Sequence, residues 1–268
     1  MEHGMASWTG HRGLRWMGAM LVCAWLAGCA VPRAARVPMP SLSLPAEAGR
    51  VAPVLIVFLP GSQEVPQDIV DEGFVAEVKR QGLDADVIVA DAHMGYFRTG
   101  TFEQRLREDI VAPARQRGYK SVWLAGISLG GYGAMQYARA YPDDVDGIVA
   151  LAPFVATTDV LREVSDAGGL LHWRSLWPAL PGDHQRELLR WLQGYVDPGL
   201  SRPPLYIGYG ETDRLQPYEP LMVPLLPPDW LLSAPGGHDW TPWKQMWVDV
   251  LQRLPLPRLP GHQASVQR

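Results

Sequence analysis

Cysteine is nearly missing from this chain. Of 268 residues only Cys23 and Cys29 carry a thiol, and both fall in the first thirty positions. The remainder can form no disulfide framework, no thiolate metal site and no cysteine nucleophile. Charge is sparse as well, at 19% of residues with a formal net charge of −4 and no basic run. That balance excludes the electrostatic footprint of a nucleic-acid binder. No cluster of His, Cys and acidic residues stands at metal-ligand spacing, so a cofactor-free protein is expected. The uncharged stretch Trp16 to Ala27 is about 12 residues, well short of the ~20 that span a bilayer as a helix. Hydrophobic residues are present in force, at 47%, too many for a disordered chain and enough for one large core. Tryptophan is abundant, with eleven in all.

Arg12 and Arg15 precede that short apolar stretch as a basic n-region would, which gives a targeting segment rather than a span. It closes on Leu26-Ala27-Gly28-Cys29, which resembles the lipobox of bacterial lipoproteins. The resemblance implies a signal peptide at 1–28 and lipidation at Cys29. With Ala30 next, it also implies anchoring on the periplasmic side of the outer membrane rather than at the inner one. Residues 29–50 hold four prolines without sustained periodicity and read as a tether. Residues 255–268 read as a flexible tail.

Between them, strand and helix alternate. Short apolar runs at 54–59, 86–90, 121–125, 147–151, 205–209 and 230–233 have the composition of parallel strands covered on both faces. Helical stretches at about 68–81, 102–117, 130–141, 217–226 and 240–253 separate most of them. The expectation is an α/β fold of about six mostly parallel strands, with the loops after the strands along one ligand-binding edge. The stretch 157–203 is too long for one crossover and is expected to form a cap over that edge, with a helix near 182–195.

Gly126-Ile127-Ser128-Leu129-Gly130 fits the G-x-S-x-G nucleophile elbow and stands where the elbow must stand, between an apolar run and a helix. A serine hydroxyl needs a base, and the base an orienting acid, in the chain order Ser, acid, His. Four histidines follow Ser128: His172, His184, His238 and His262. Only His238 sits in a loop just after the last strand and before a helix. Asp213, after the fifth strand, leads for the acid; Glu211 and Asp159 compete. The backbone N–H of Leu129 supplies one oxyanion donor. The loop after the first strand, Pro60-Gly61-Ser62-Gln63, supplies the other, from Ser62 or else Gln63.

These features together resemble the α/β-hydrolase superfamily over about residues 51–254. The pairing of Gly-Ile-Ser-Leu-Gly-Gly-Tyr-Gly-Ala with the late Gly-Gly-His-Asp-Trp-Thr-Pro-Trp is similar to esterase-D-like carboxylesterases and the related mycolyltransferases. That resemblance implies a Ser-Asp-His triad at Ser128, Asp213 and His238, and a carboxylic-ester substrate taken by a monomeric or weakly associating enzyme. An acyltransferase with a sugar or lipid alcohol as acceptor would use the same residues. A non-catalytic binding lipoprotein on a hydrolase fold is the third reading. The chain departs from the family in two places. Pro60-Gly61 replaces the usual His-Gly of the oxyanion loop, and the short lead-in implies that one or two N-terminal antiparallel strands are missing.

Overall fold

Every residue of Val54–Leu59 (β2) is buried, and so is every residue of Ala85–Ala90 (β3). Such strands are stable only between two apolar layers, and the computed structural model supplies both. It describes residues 33–174, 182–197, 199–213 and 224–260. The leader with Cys29, most of the helix expected at 217–226 and the residues beyond 260, with His262, lie outside that set. The described residues from 34 onward cluster as one compact unit.

Seven strands form one sheet: Ser41–Leu44 (β1), β2, β3, Ser121–Ile127 (β4), Gly147–Leu151 (β5), Leu205–Gly210 (β6) and Leu231–Ala234 (β7). Their order is β1-β3-β2-β4-β5-β6-β7; β1 pairs antiparallel with β3, and the other neighbours are parallel. Alternate residues feed two cores, as a two-residue period requires. Leu55, Val57, Leu59 and Leu124 face one; Val54, Ile56, Phe58 and Trp123 face the other. The second core is covered by Pro66–Asp71 (α1), Phe74–Arg80 (α2) and, late in the chain, Trp240–Arg253. The 68–81 helix of the sequence breaks between α1 and α2 because Gly73 takes φ +88°. Trp247 from the late helix meets Phe58 edge to face at 5.4 Å and donates its indole N–H to the Phe74 carbonyl at 2.9 Å.

The first core is covered by a short helix, Met94–Arg98 (α3), and by a longer one (α4). The latter runs through Phe102–Leu106, a π-type turn at Arg107–Val111, and Ala112–Gln116. Leu129–Ala140 (α5), Thr158–Asp166 (α6) and His184–Gln193 (α7) complete this layer, and Trp240–Arg253 is α8.

Three expectations need correction. The tether expected at 29–50 carries β1, so an antiparallel strand does precede β2. The buried Asp86 accounts for this: its carboxylate accepts from the N–H groups of Ala46 (2.7 Å) and Ala52 (3.1 Å) and from the Tyr119 hydroxyl (2.7 Å). Asp109 likewise accepts from the N–H of Met39, whose side chain is buried. The tail expected from 255 docks in its first residues. Pro257 accepts from Asp84 N–H, Leu259 N–H donates to Gly82, and Leu256 is buried. The stretch 157–203 was expected over the strand edge. Its described helices instead bury Val160, Val164, Leu188, Leu189 and Leu192 in the first core. Gln136 of α5 donates to the His184 carbonyl at 2.9 Å, tying α7 to the helix that follows Ser128.

Candidate active site

Ser128 stands at the turn from β4 into α5 with φ 51° and ψ −112°. This backbone conformation is rare for a residue with a side chain, so the surroundings must hold it. Ser128 N–H donates to Leu151 of the neighbouring strand at 2.9 Å, and its carbonyl accepts from Phe154 N–H at 3.0 Å. Two of the flanking glycines are there because of contact distance. A Cβ at Gly126 would lie 2.7 Å from Gly131 N, and one at Gly130 would lie 2.6 Å from both the Leu59 carbonyl carbon and the Pro60 oxygen. The start of α5 is thereby seated directly on the end of β2, next to the loop Gly61–Glu64.

The other two residues arrive from the ends of neighbouring strands. Asp213 follows β6, and its carboxyl group is completely shielded from solvent; His238 follows β7 with its side chain 19% exposed. His238 Nδ1 and Asp213 Oδ2 are 2.7 Å apart. An ionised carboxylate only accepts, so Nδ1 donates, and in the neutral ring the lone pair then stands on Nε2. The Trp243 ring packs against the imidazole at 87° with centroids 5.0 Å apart. The competing acids stand elsewhere. Glu211 accepts from Ser233 Oγ at 3.3 Å on the surface, and Asp159 is 89% exposed beside Arg162. Of the other histidines, His184 is exposed beside Glu187, and His172 lies in an exposed turn.

Ser128 and His238 line one cavity of about 260 Å³. Ser62, Gln63 and Glu64 close it from the β2 side, and Asp239, Trp240 and Trp243 from the start of α8. Leu129 is the first residue of α5, so its N–H is one of the unpaired donors of a helix start. Of the two candidates for a second donor, Gln63 N–H donates to Glu64 Oε2 at 3.3 Å. No described residue of 157–203 lines this cavity. Sequence reasoning did not single out Glu64, Asp239, Trp240 or Trp243 as cavity residues. The spacing of the two tryptophans, three apart at the start of a helix that follows the candidate base, was the available signal. Among the described residues no group of three or more His, Cys, Asp and Glu side chains could hold a metal ion.

The sequence profile of the serine aminopeptidase S33 family matches residues 105–192, about a third of the chain, which includes the elbow. No curated protein sequence matches the chain. Solved structures do. Est1E from Butyrivibrio proteoclasticus with ferulic acid bound is 17% identical, with a TM-score of 0.55 over 80% of this chain and 93% of its own. The S-formylglutathione hydrolase of Staphylococcus aureus is 15% identical, with a TM-score of 0.54 over 83% and 98%. A fluorophosphonate-binding serine hydrolase of the same organism, solved with substrate bound, is 16% identical, with a TM-score of 0.52 over 81% and 98%. At such identities the likeness is one of fold, and the fold is that of the α/β-hydrolases.

Proposed function

We propose that this chain is a serine hydrolase of carboxylic esters, with Ser128 as nucleophile, His238 as base and Asp213 as its orienting acid. The observation that carries the reading is the 2.7 Å contact between His238 Nδ1 and Asp213 Oδ2, with His238 and a strained Ser128 facing one cavity. Ser128 Oγ attacks the ester carbonyl while its proton passes to Nε2 of His238. The carbonyl oxygen becomes an oxyanion against the N–H groups of Leu129 and of Ser62 or Gln63. Collapse of the tetrahedral intermediate breaks the bond to the alcohol, which leaves with the proton from His238. Water, deprotonated by the same imidazole, then attacks the acyl-enzyme and releases the acid.

One neighbour is named an S-formylglutathione hydrolase and another holds ferulic acid, so a thioester and an ester of ferulic acid belong beside p-nitrophenyl esters of graded chain length in the first screen. His238→Ala should abolish turnover of these esters, read by steady-state hydrolysis. A near-normal rate in His238→Ala would place the base elsewhere.

The lipobox-like Leu26-Ala27-Gly28-Cys29 supports a second part of the proposal: the enzyme is held at the cell envelope by lipid on Cys29. Cys29→Ser should move the protein from the membrane fraction to the soluble one or block its processing. A wild-type protein found soluble, with no lipid on Cys29, would refute the anchor.

A further inference from the structure

Resting on the anchor at Cys29 and on the ester-hydrolase reading, we infer that the active-site edge of the sheet is turned toward the membrane and that the substrate is an ester borne by that bilayer. The observation behind it is where the chain enters the fold. β1 runs antiparallel to β3 with Ser41 opposite Ala90, so its first residue lies where the parallel strands finish. Ser128, Asp213 and His238 stand at that same edge, after β4, β6 and β7. The residues before β1 are fastened there as a strap. Asp91 N–H donates to the Pro40 carbonyl at 2.8 Å and Met39 N–H to Asp109 at 2.8 Å. Arg36 exchanges two hydrogen bonds with the Tyr96 hydroxyl of α3, at 3.1 and 2.9 Å. Phe97, next on α3, packs at 6.0 Å against Tyr132, one turn beyond Ser128. Along the sheet, three strand steps separate β1 from β4, roughly 14 Å.

Length then decides the orientation. Seven residue steps join Cys29 to Arg36, and an extended chain covers at most ~3.6 Å per step, so the lipid attaches within about 25 Å of the strap. A compact unit of this length is roughly 45 Å across. The chain therefore cannot carry the lipid round to the opposite edge, where Lys120 precedes β4. The surface beside the strap suits a headgroup layer. Val37 is 73% exposed next to an exposed Arg36, and Met94 is 38% exposed one turn before an exposed Arg98. Apolar side chains set among long basic ones are what an interfacial helix presents to lipid. The cavity is lined from this edge too, by the loop after β2 and the start of α8, so an ester in the bilayer is presented to Ser128 at high local concentration.

The test uses the full chain in phosphatidylcholine vesicles, with the lipid on Cys29 checked by mass mapping. Cys29 is the one cysteine left after processing, so a fluorophore goes onto a single introduced thiol. Thr99→Cys puts it at the end of α3 on the active-site edge, and Lys120→Cys puts it on the opposite edge. Nitroxide-bearing lipid should quench the label at 99 and leave the label at 120 bright. Equal quenching, or stronger quenching at 120, overturns the inference. The second reading is the turnover of p-nitrophenyl palmitate dissolved in the vesicles, divided by that of p-nitrophenyl acetate in water. Twenty Gly and Ser residues inserted after Arg33 lengthen the tether from seven steps to twenty-seven and, by the −3/2 power of length, should lower this ratio about sevenfold. A ratio unchanged within twofold overturns the bilayer-borne substrate. A chain without lipid on Cys29 overturns the anchor and the inference together and leaves the esterase reading standing. Should wild type turn over neither ester, the esterase reading fails, and the two labels decide the orientation.

Discussion

Gly130→Ala sets two effects of opposite sign against each other at one position. Alanine is the better helix former by ~1 kcal/mol, and Gly130 stands in the first turn of α5, so propensity alone forecasts stabilisation. Packing forecasts the reverse. The new Cβ would lie 2.6 Å from the Leu59 carbonyl carbon and from the Pro60 oxygen, both backbone atoms that no rotamer change can move. The end of β2 and the start of α5 must separate by on the order of 1 Å, and overpacking of this kind costs about 1–3 kcal/mol. Packing wins because the neighbours are main chain. In a protein of this size the net loss lowers Tm by a few degrees, at about 2–4 °C per kcal/mol. The catalytic loss is larger. The same separation pulls Leu129 N–H away from the 61–63 loop, and an oxyanion donor is worth about 10²–10³-fold in kcat. The assays are thermal melting by circular dichroism and hydrolysis of a p-nitrophenyl ester. A variant at least as stable as wild type, with kcat/KM within twofold, would refute the argument from contact.

Asp213→Asn should cost about 10⁴-fold in kcat by removing the acceptor that fixes the His238 tautomer, while Glu211→Gln on the surface should cost little; steady-state kinetics of the two variants decides between the carboxylates. Glu163 ties α6 to α7 by accepting from Arg186 at 2.6 Å and from the Trp173 indole at 2.9 Å, and the Arg186 bond foremost holds its carboxyl below the usual carboxylate range. A carboxyl depressed in the fold contributes stability above its unfolded value of about 4.3 and loses that contribution as pH falls through the folded value. Wild type should therefore lose stability on acidification in that window, and Glu163→Gln should flatten the loss; identical acid-unfolding curves would contradict the assignment.

Much of the fold was legible because the sheet is buried on both faces. A run such as Val54-Leu55-Ile56-Val57-Phe58-Leu59 has no other stable use, and five more runs of that type mark strands to within a residue or two. The elbow was legible for a similar reason, since glycines at 126 and 130 answer a steric demand made by nearby backbone. β1 was not. Ser41-Leu42-Ser43-Leu44 is short, follows two prolines and is only half covered, and it is held by Asp86 and Asp109 from far along the chain. The docked part of the tail likewise depends on Gly82 and Asp84, partners that no local pattern announces. The acid was legible only as a ranking, Asp213 ahead of Glu211 two residues away; the 2.7 Å approach of a shielded Asp213 carboxyl to His238 depends on the fold. Glu64 was silent because its position results from a side chain curling onto the amide of the residue before it.

The most direct test of the account is a fluorophosphonate label followed by peptide mass mapping of the intact protein. A single adduct on the peptide that carries Ser128, lost in Ser128→Ala with the melting curve preserved, is the expected result. Labelling that persists in Ser128→Ala, or an adduct mapped to another serine, would contradict the assignment of the nucleophile and with it the proposed reaction.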